Sequence, residues 1–378
     1  MRAPRLALLS LPGLLACAPE DASAPYAVLS EQGIDRYLGV YAPDSEDVDA
    51  EGIINHVFTD PTGPACMDGA PFHTAFRDQG SDDLVVFLQG GGLCYSELCL
   101  AVSSAGPGIP PIDVLRPDLE TNPVRDWNMA YVPYCDGSLF SGDAELDDDG
   151  DGSIDRIHHG LMNLSAALDV AARHHAAPER IFLAGSSGGG YGTIAAAVLA
   201  RRTWPDAELM VFNDAGVGLG RDGDLDFLWT IIDEFNASAL IPADEVQLLD
   251  GGHLTPLIGW QLEQDPNLRV AAYSSYGDYV ISQMYLQASP EDFEDWLSVQ
   301  LGAVNAAHPE RFQSFLIEGV GHTTLLGDPS GFLSGDSSLM SVVSAMLGGI
   351  DTTEADGVTI AQWMASMIDD DGWTSIED

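Results

Sequence analysis

The chain has 378 residues, of which 46% are hydrophobic and 8% aromatic, enough apolar side chain for one large α/β domain and too much for a disordered polymer. Fourteen arginines, with no lysine, stand against 59 acidic residues, a formal net charge of −45. Nothing here can neutralise a run of phosphates, so nucleic acid is excluded as a partner, and the balance fits a solvated acidic surface that stays soluble in high salt.

The N-terminus carries Arg2 and Arg5, then an apolar run from Leu6 to Ala16 that is too short to span a bilayer and reads as an export signal. Its ending, Leu14-Leu15-Ala16-Cys17, resembles a bacterial lipobox, in which Cys17 would be lipidated and become the mature N-terminus. Cleavage by an ordinary signal peptidase nearby is the alternative. On this reading residues 1–16 are a lipoprotein-type leader, 17–28 a tether and 29–378 a single domain. The protein would be exported, as a cell-envelope lipoprotein or in secreted form, touching membrane only through the lipid anchor.

Export makes disulfides the default for the even set Cys66, Cys94, Cys99 and Cys135. Three pairings are possible. Cys94 and Cys99 lie five apart in one loop, and bridging them leaves Cys66 with Cys135. A metal site is the rival, but no Cys-x-x-Cys or histidine companion supports it.

Asp83 to Leu88 is a nearly continuous apolar run, the kind of strand buried on both faces of a parallel sheet, and it leads straight into Gln89-Gly90-Gly91-Gly92-Leu93-Cys94. Met129 to Tyr134 is a further strand. Next comes an aspartate-rich loop in which Asp147, Asp149, Asp151, Ser153 and Asp155 put oxygens at positions 1, 3, 5, 7 and 9 of a calcium loop, with Gly152 at 6. His158 stands at position 12 in place of a bidentate glutamate, so a structural calcium and a merely solvated loop both remain open.

Ile157 to His174 reads as a helix. Ile181 to Ala184 is a strand that meets Gly185-Ser186-Ser187-Gly188-Gly189, and an alanine-rich helix follows from Thr193 to Arg202. Leu209 to Phe212, Leu268 to Tyr273 and Phe315 to Ile317 continue the strands. Asp226 to Phe235 and Pro290 to Val304 are amphipathic helices placed to cover a site. Strands separated by helices imply parallel pairing, and the expected fold is α/β, hydrolase-like, with a mostly parallel central sheet, helices on both faces and helical lid insertions.

Strand, Gly-x-Ser-x-Gly and helix form the sharp turn that holds a serine hydroxyl over the end of a sheet, so Ser187 is the candidate nucleophile. A serine needs a base to take its proton and a carboxylate to orient that base, in the chain order Ser, acid, His. His322 fits the base, since it sits in the glycine-rich loop Glu318 to Thr324 directly after the last strand; His253, beside Gly251-Gly252, is its nearest rival. Asp278, after the strand ending at Tyr273, fits the acid, with Asp214 as rival. Oxyanion donors would come from Gly188, next to the nucleophile, and from Gly91 or Gly92.

These residues resemble a known family. Leu88 to Cys94, Asn122-Pro123 with Asp126-Trp127-Asn128, Val132 to Gly137, Gly142-Asp143, Gly185 to Gly189 and Asn213 to Gly216 are, in this order, similar to the pectin acetylesterase and Notum family of carboxylesterases. The resemblance implies an α/β-hydrolase fold, ester hydrolysis with no cofactor, a triad on Ser187, Asp278 and His322, and a Cys94–Cys99 bridge. It also places Leu93 at the acyl pocket and implies an acylated carbohydrate or other ester as partner, O-acetyl before longer acyl groups; Asp214 is a further candidate pocket residue, and a monomer is expected. Gln89 replaces the family's usual glutamate, Leu93 its aromatic, and Gly189 its alanine.

Overall fold

The computed structural model describes residues 24–327 and 346–378; the expected leader and Cys17 lie outside the described residues. The tether expected through residue 28 ends sooner. Tyr26 is wholly buried with its ring 5.9 Å from that of Trp260, and the short helix α1 (Ala27–Glu31) follows with Leu29 inside.

An antiparallel edge begins the sheet: β1 (Ser45–Val48), β2 (Ile54–Phe58) and β3 (Phe72–Arg77). β4 (Leu84–Leu88) is central, and a small hairpin of β5 (Gly92–Tyr95) and β6 (Leu98–Ala101) stands after it. β7 (Asn128–Val132) joins the sheet, whereas β8 (Ala144–Leu146) and β9 (Arg156–His158) pair only with each other, around the aspartate loop. The helix expected from Ile157 therefore starts later, as α2 (Gly160–His174).

Then come β10 (Arg180–Ser186), α3 (Gly188–Thr203), β11 (Glu208–Asp214), α4 (Leu225–Glu234), α5 (Thr255–Gln264), β12 (Leu268–Ser275), α6 (Pro290–Ala307) and β13 (Phe312–Ile317). A last hairpin, β14 (Glu354–Ala355) with β15 (Val358–Thr359), leads into α7 (Ile360–Asp369) and β16 (Ile376–Glu377). The ten-stranded sheet runs β1-β2-β3-β7-β4-β10-β11-β12-β13-β16, with every pairing from β7 onward parallel.

The apolar runs are explained by two cores, one on each face. Side chains alternate along a strand, so Leu84, Val86 and Leu88 enter one core while Val85 and Phe87 enter the other; Ile181 and Leu183 part in the same way from Phe182 and Ala184. Residues of α2, α3, α5 and α6 fill the first face. On the second, α7 sets Trp363 edge-on against Phe212 and Phe315, at 5.7 and 5.4 Å between ring centres. The α/β-hydrolase-like architecture expected from the sequence is present.

Of the two expected covers, only α4 is one. α6 buries Phe293, Leu297, Leu301 and Val304 in the main core, because its apolar stripe packs beside α5 and β13. Both expected disulfides are formed, Cys66 to Cys135 and Cys94 to Cys99, the latter across the β5–β6 hairpin. Among the described residues no helix is long and apolar enough to cross a membrane.

Candidate active site

In a parallel sheet all the carboxyl ends lie on one edge, where open α/β sheets place their sites. β10, β12 and β13 are parallel members of one sheet, so the residues that follow them, Ser187, Asp278 and His322, come to the same edge.

Ser187 is the turn between β10 and α3. Its φ of 56° and ψ of −120° fall where side-chain-bearing residues are strained, and its N–H donates to the Asp214 carbonyl at 2.7 Å. The flanking glycines are required by contact: a Cβ on Gly185 would sit 2.2 Å from the Gly189 carbonyl oxygen, and one on Gly189 would sit 2.2 Å from the Leu88 carbonyl oxygen. The turn is thus pressed onto the end of β4, from which the glycine loop departs.

Asp278 and His322 meet in a buried pair, 44 residues apart in the chain. The imidazole Nδ1 lies 2.8 Å from Oδ2 and 3.0 Å from Oδ1 of Asp278, and Oδ1 also accepts the Ile281 N–H at 3.0 Å. A carboxylate can only accept, so Nδ1 carries a proton, and in the neutral imidazole Nε2 is then the free acceptor. The rival base is elsewhere: His253 accepts the Gly220 N–H on Nδ1 at 3.0 Å and is buried beneath the loop it supports.

Asp214 is neither the acid partner of His322 nor a pocket residue, and here the expectation is corrected. It is wholly buried and does not line the cavity beside Ser187, because its carboxylate is already engaged. It accepts from Ser186 Oγ at 2.6 Å, from Thr324 N at 2.9 Å and Oγ1 at 3.1 Å, and from Leu325 N at 3.1 Å. One carboxylate thereby ties the residue before Ser187 to residues just past His322. Burial pushes its pKa up to about 6, against the pull of those hydrogen bonds.

Two of the three glycines expected to offer oxyanion donors, Gly188 and Gly92, lie beside Ser187. Gly188 opens α3, where the first backbone N–H groups have no partner within the helix and the helix dipole favours negative charge. Gly92 touches it, the Gly92 carbonyl lying 2.9 Å from where a Gly188 Cβ would be, and both line the cavity with Ser187. Gly91 does not line it: a Cβ there would meet the Tyr134 ring at 2.3 Å, and its carbonyl accepts the Val102 N–H. Tyr134 braces the loop by donating to the Gly92 carbonyl at 2.9 Å, while Gln89 Oε1 accepts from the Tyr131 hydroxyl at 2.8 Å.

The cavity beside Ser187 is partly open to solvent, and its walls are almost wholly apolar. Leu93 lines it, as expected, together with Phe227, Leu228 and Ile231 of α4. Ile281 and Tyr285, from a single wide helical turn after Asp278, were not legible as wall residues, since so short a turn leaves no hydrophobic period in the sequence.

In the aspartate loop the carboxylates of Asp147, Asp149 and Asp151 approach within 4.8 Å of one another, all exposed. Asp155 turns instead to accept the Asp148 N–H at 2.8 Å, Ser153 donates its N–H to Asp151, and His158 faces inward with Nδ1 2.7 Å from the Asp136 carbonyl oxygen.

Sheet, elbow and histidine loop together define an α/β-hydrolase-like protein. Residues 49–222 match the family model Pectinacetylesterase, which bears out the resemblance carried by the motifs. Similar proteins include pectin acetylesterase 4 of Arabidopsis thaliana, 29% identical over 41% of this chain and 41% of its own length, and palmitoleoyl-protein carboxylesterase notum2 of Xenopus laevis, 30% identical over 34% and 28%. The matched stretch thus spans well under half of these curated relatives. It holds Ser187 and the glycine loop, whereas Asp278 and His322 lie beyond the end of the family match.

Proposed function

We propose that the protein is an exported serine carboxylesterase with a Ser187, His322, Asp278 triad. The observation that carries this reading is the buried Asp278–His322 pair on the sheet edge where Ser187 sits in a strained elbow. Ser187 Oγ attacks the ester carbonyl and passes its proton to His322 Nε2, while Asp278 holds Nδ1–H and stabilises the imidazolium. The Gly188 N–H, with the glycine loop at Gly92, faces the developing oxyanion. His322 protonates the departing alcohol, and water then releases the acid by the same steps. No cofactor takes part.

The family resemblance favours O-acetyl groups on a carbohydrate. The cavity favours a longer acyl chain, because its walls offer apolar surface that an acetyl methyl leaves unused. Each methylene buried there contributes about 0.8 kcal/mol, or roughly fourfold in kcat/KM. On nitrophenyl esters from acetate to laurate, kcat/KM is expected to climb beyond acetate to an optimum at intermediate length. A steady fall from acetate would restore the acetyl reading; no turnover on any ester by folded protein would leave a binding scaffold.

Calcium is assigned at most a structural part, at Asp147, Asp149 and Asp151. Like charges this close repel, so millimolar calcium is expected to raise Tm, and Asp149→Asn to abolish the rise. An unchanged Tm removes the ion.

A further inference from the structure

Far from the serine, at the antiparallel edge of the sheet, Glu46, His56 and His174 bring their ligand atoms within 4.8 Å of one another. Glu46 and His56 are directly opposed across the β1–β2 ladder, and His174 is the last residue of α2. His56 Nε2 is 3.1 Å from Glu46 Oε2 and also 3.1 Å from His174 Nε2, a residue 118 positions away.

Hydrogen bonding does not account well for this convergence. If His174 Nε2–H donates to His56 Nε2, the latter is an acceptor and has no proton for Glu46. If His56 Nε2–H points to Glu46, one bent donor must also serve the His174 lone pair. A cation would satisfy all three at once.

The spacing suits one. Two imidazole nitrogens bound to zinc at about 2.0–2.1 Å and standing 3.1 Å apart subtend about 98° at the ion, between octahedral and tetrahedral geometry. Two histidines and a carboxylate are a donor set that zinc and its neighbours accept.

The surroundings hold these ligands in place. The His174 ring stacks on Phe76, 4.7 Å between centres and 17° from parallel, and His56 is wholly buried. The Glu46 side chain is half exposed, leaving a solvent side for water to complete the shell. The end of α2 is the negative end of its dipole, which favours a cation there.

We propose that Glu46, His56 and His174 form a binding site for a divalent transition-metal ion of the zinc class, which ties the β1–β2 hairpin to the C-terminal end of α2. The role is structural: β1 is an edge strand whose residues are all exposed and which pairs with β2 alone.

The test uses the full chain stripped with chelator and titrated with zinc by calorimetry, with Tm measured in parallel and cobalt absorption as a report of nitrogen ligation. The expected result is one zinc per chain and a rise in Tm. Glu46→Gln and His174→Ala should each weaken binding by tenfold or more while leaving ester hydrolysis at the wild-type level, and Glu46→Gln should also leave the metal-free Tm unchanged. No zinc binding overturns the proposal. So does binding that survives both variants or is lost only in Asp149→Asn, which would place the ion in the aspartate loop.

Discussion

Ser187→Ala is expected to lower kcat on nitrophenyl esters by roughly 10⁴- to 10⁶-fold, the range found when a triad nucleophile is removed from a serine hydrolase. The loss arises because no other hydroxyl can take this place. The elbow conformation comes from the backbone, with the Ser187 N–H on the Asp214 carbonyl and the glycines at 185 and 189 seated against their neighbours. Alanine adopts the same strained φ at no greater cost, so Tm should move by only about a degree or two and the fold should persist. What activity remains would come from the oxyanion donors alone. A variant retaining a tenth of wild-type turnover would remove Ser187 from the mechanism.

Asp278→Asn should cost about 10⁴-fold in kcat. An asparagine amide facing His322 Nδ1 would favour the tautomer with the proton on Nε2, and a base already protonated on that nitrogen cannot accept one from serine. Asp214→Asn is the contrast. It keeps the Asp278–His322 pair but replaces an acceptor of four hydrogen bonds, so its main effect should fall on stability and on the placing of the histidine loop.

The pH profile separates the two aspartates further. The folded Asp214 carboxyl holds its proton up to about pH 6, against an ordinary value of 3.8. Its contribution to stability is therefore fully present below pH 4 and declines as pH rises towards 6, and Asp214→Asn should flatten that part of a stability curve. If Asp214→Asn abolished turnover in a well-folded protein while Asp278→Asn kept it, the acid would have to be reassigned.

Much of this site was legible from residues alone, and the reasons differ. The parallel strands announced themselves because burial on both faces demands apolar residues at every position, as in Leu84-Val85-Val86-Phe87-Leu88. The elbow was legible because so tight a turn admits only glycine at 185 and 189. The outermost strand was silent: β1, Ser45-Glu46-Asp47-Val48, is fully exposed and has no apolar pattern to read. Asp214 was misplaced for a related reason. A carboxylate at a strand tip looks the same in sequence whether it faces substrate or is consumed by backbone donors 110 residues away. α6 shows the same limit, since an amphipathic helix declares that it has an apolar face and not what that face covers.

The carboxylate of Asp214 makes the two halves of the site depend on each other. The nucleophile turn needs β4, β10 and β11, since the Ser187 N–H rests on the Asp214 carbonyl, and the histidine loop is anchored only once β12 and β13 have joined them. Pairings between such distant segments form late in folding, because a long loop must be closed before any contact rewards it. Catalytic competence therefore belongs to the finished sheet. On the proposed triad, a nascent or truncated chain that holds Ser187 but not yet Asp278 and His322 is expected to be inert toward esters.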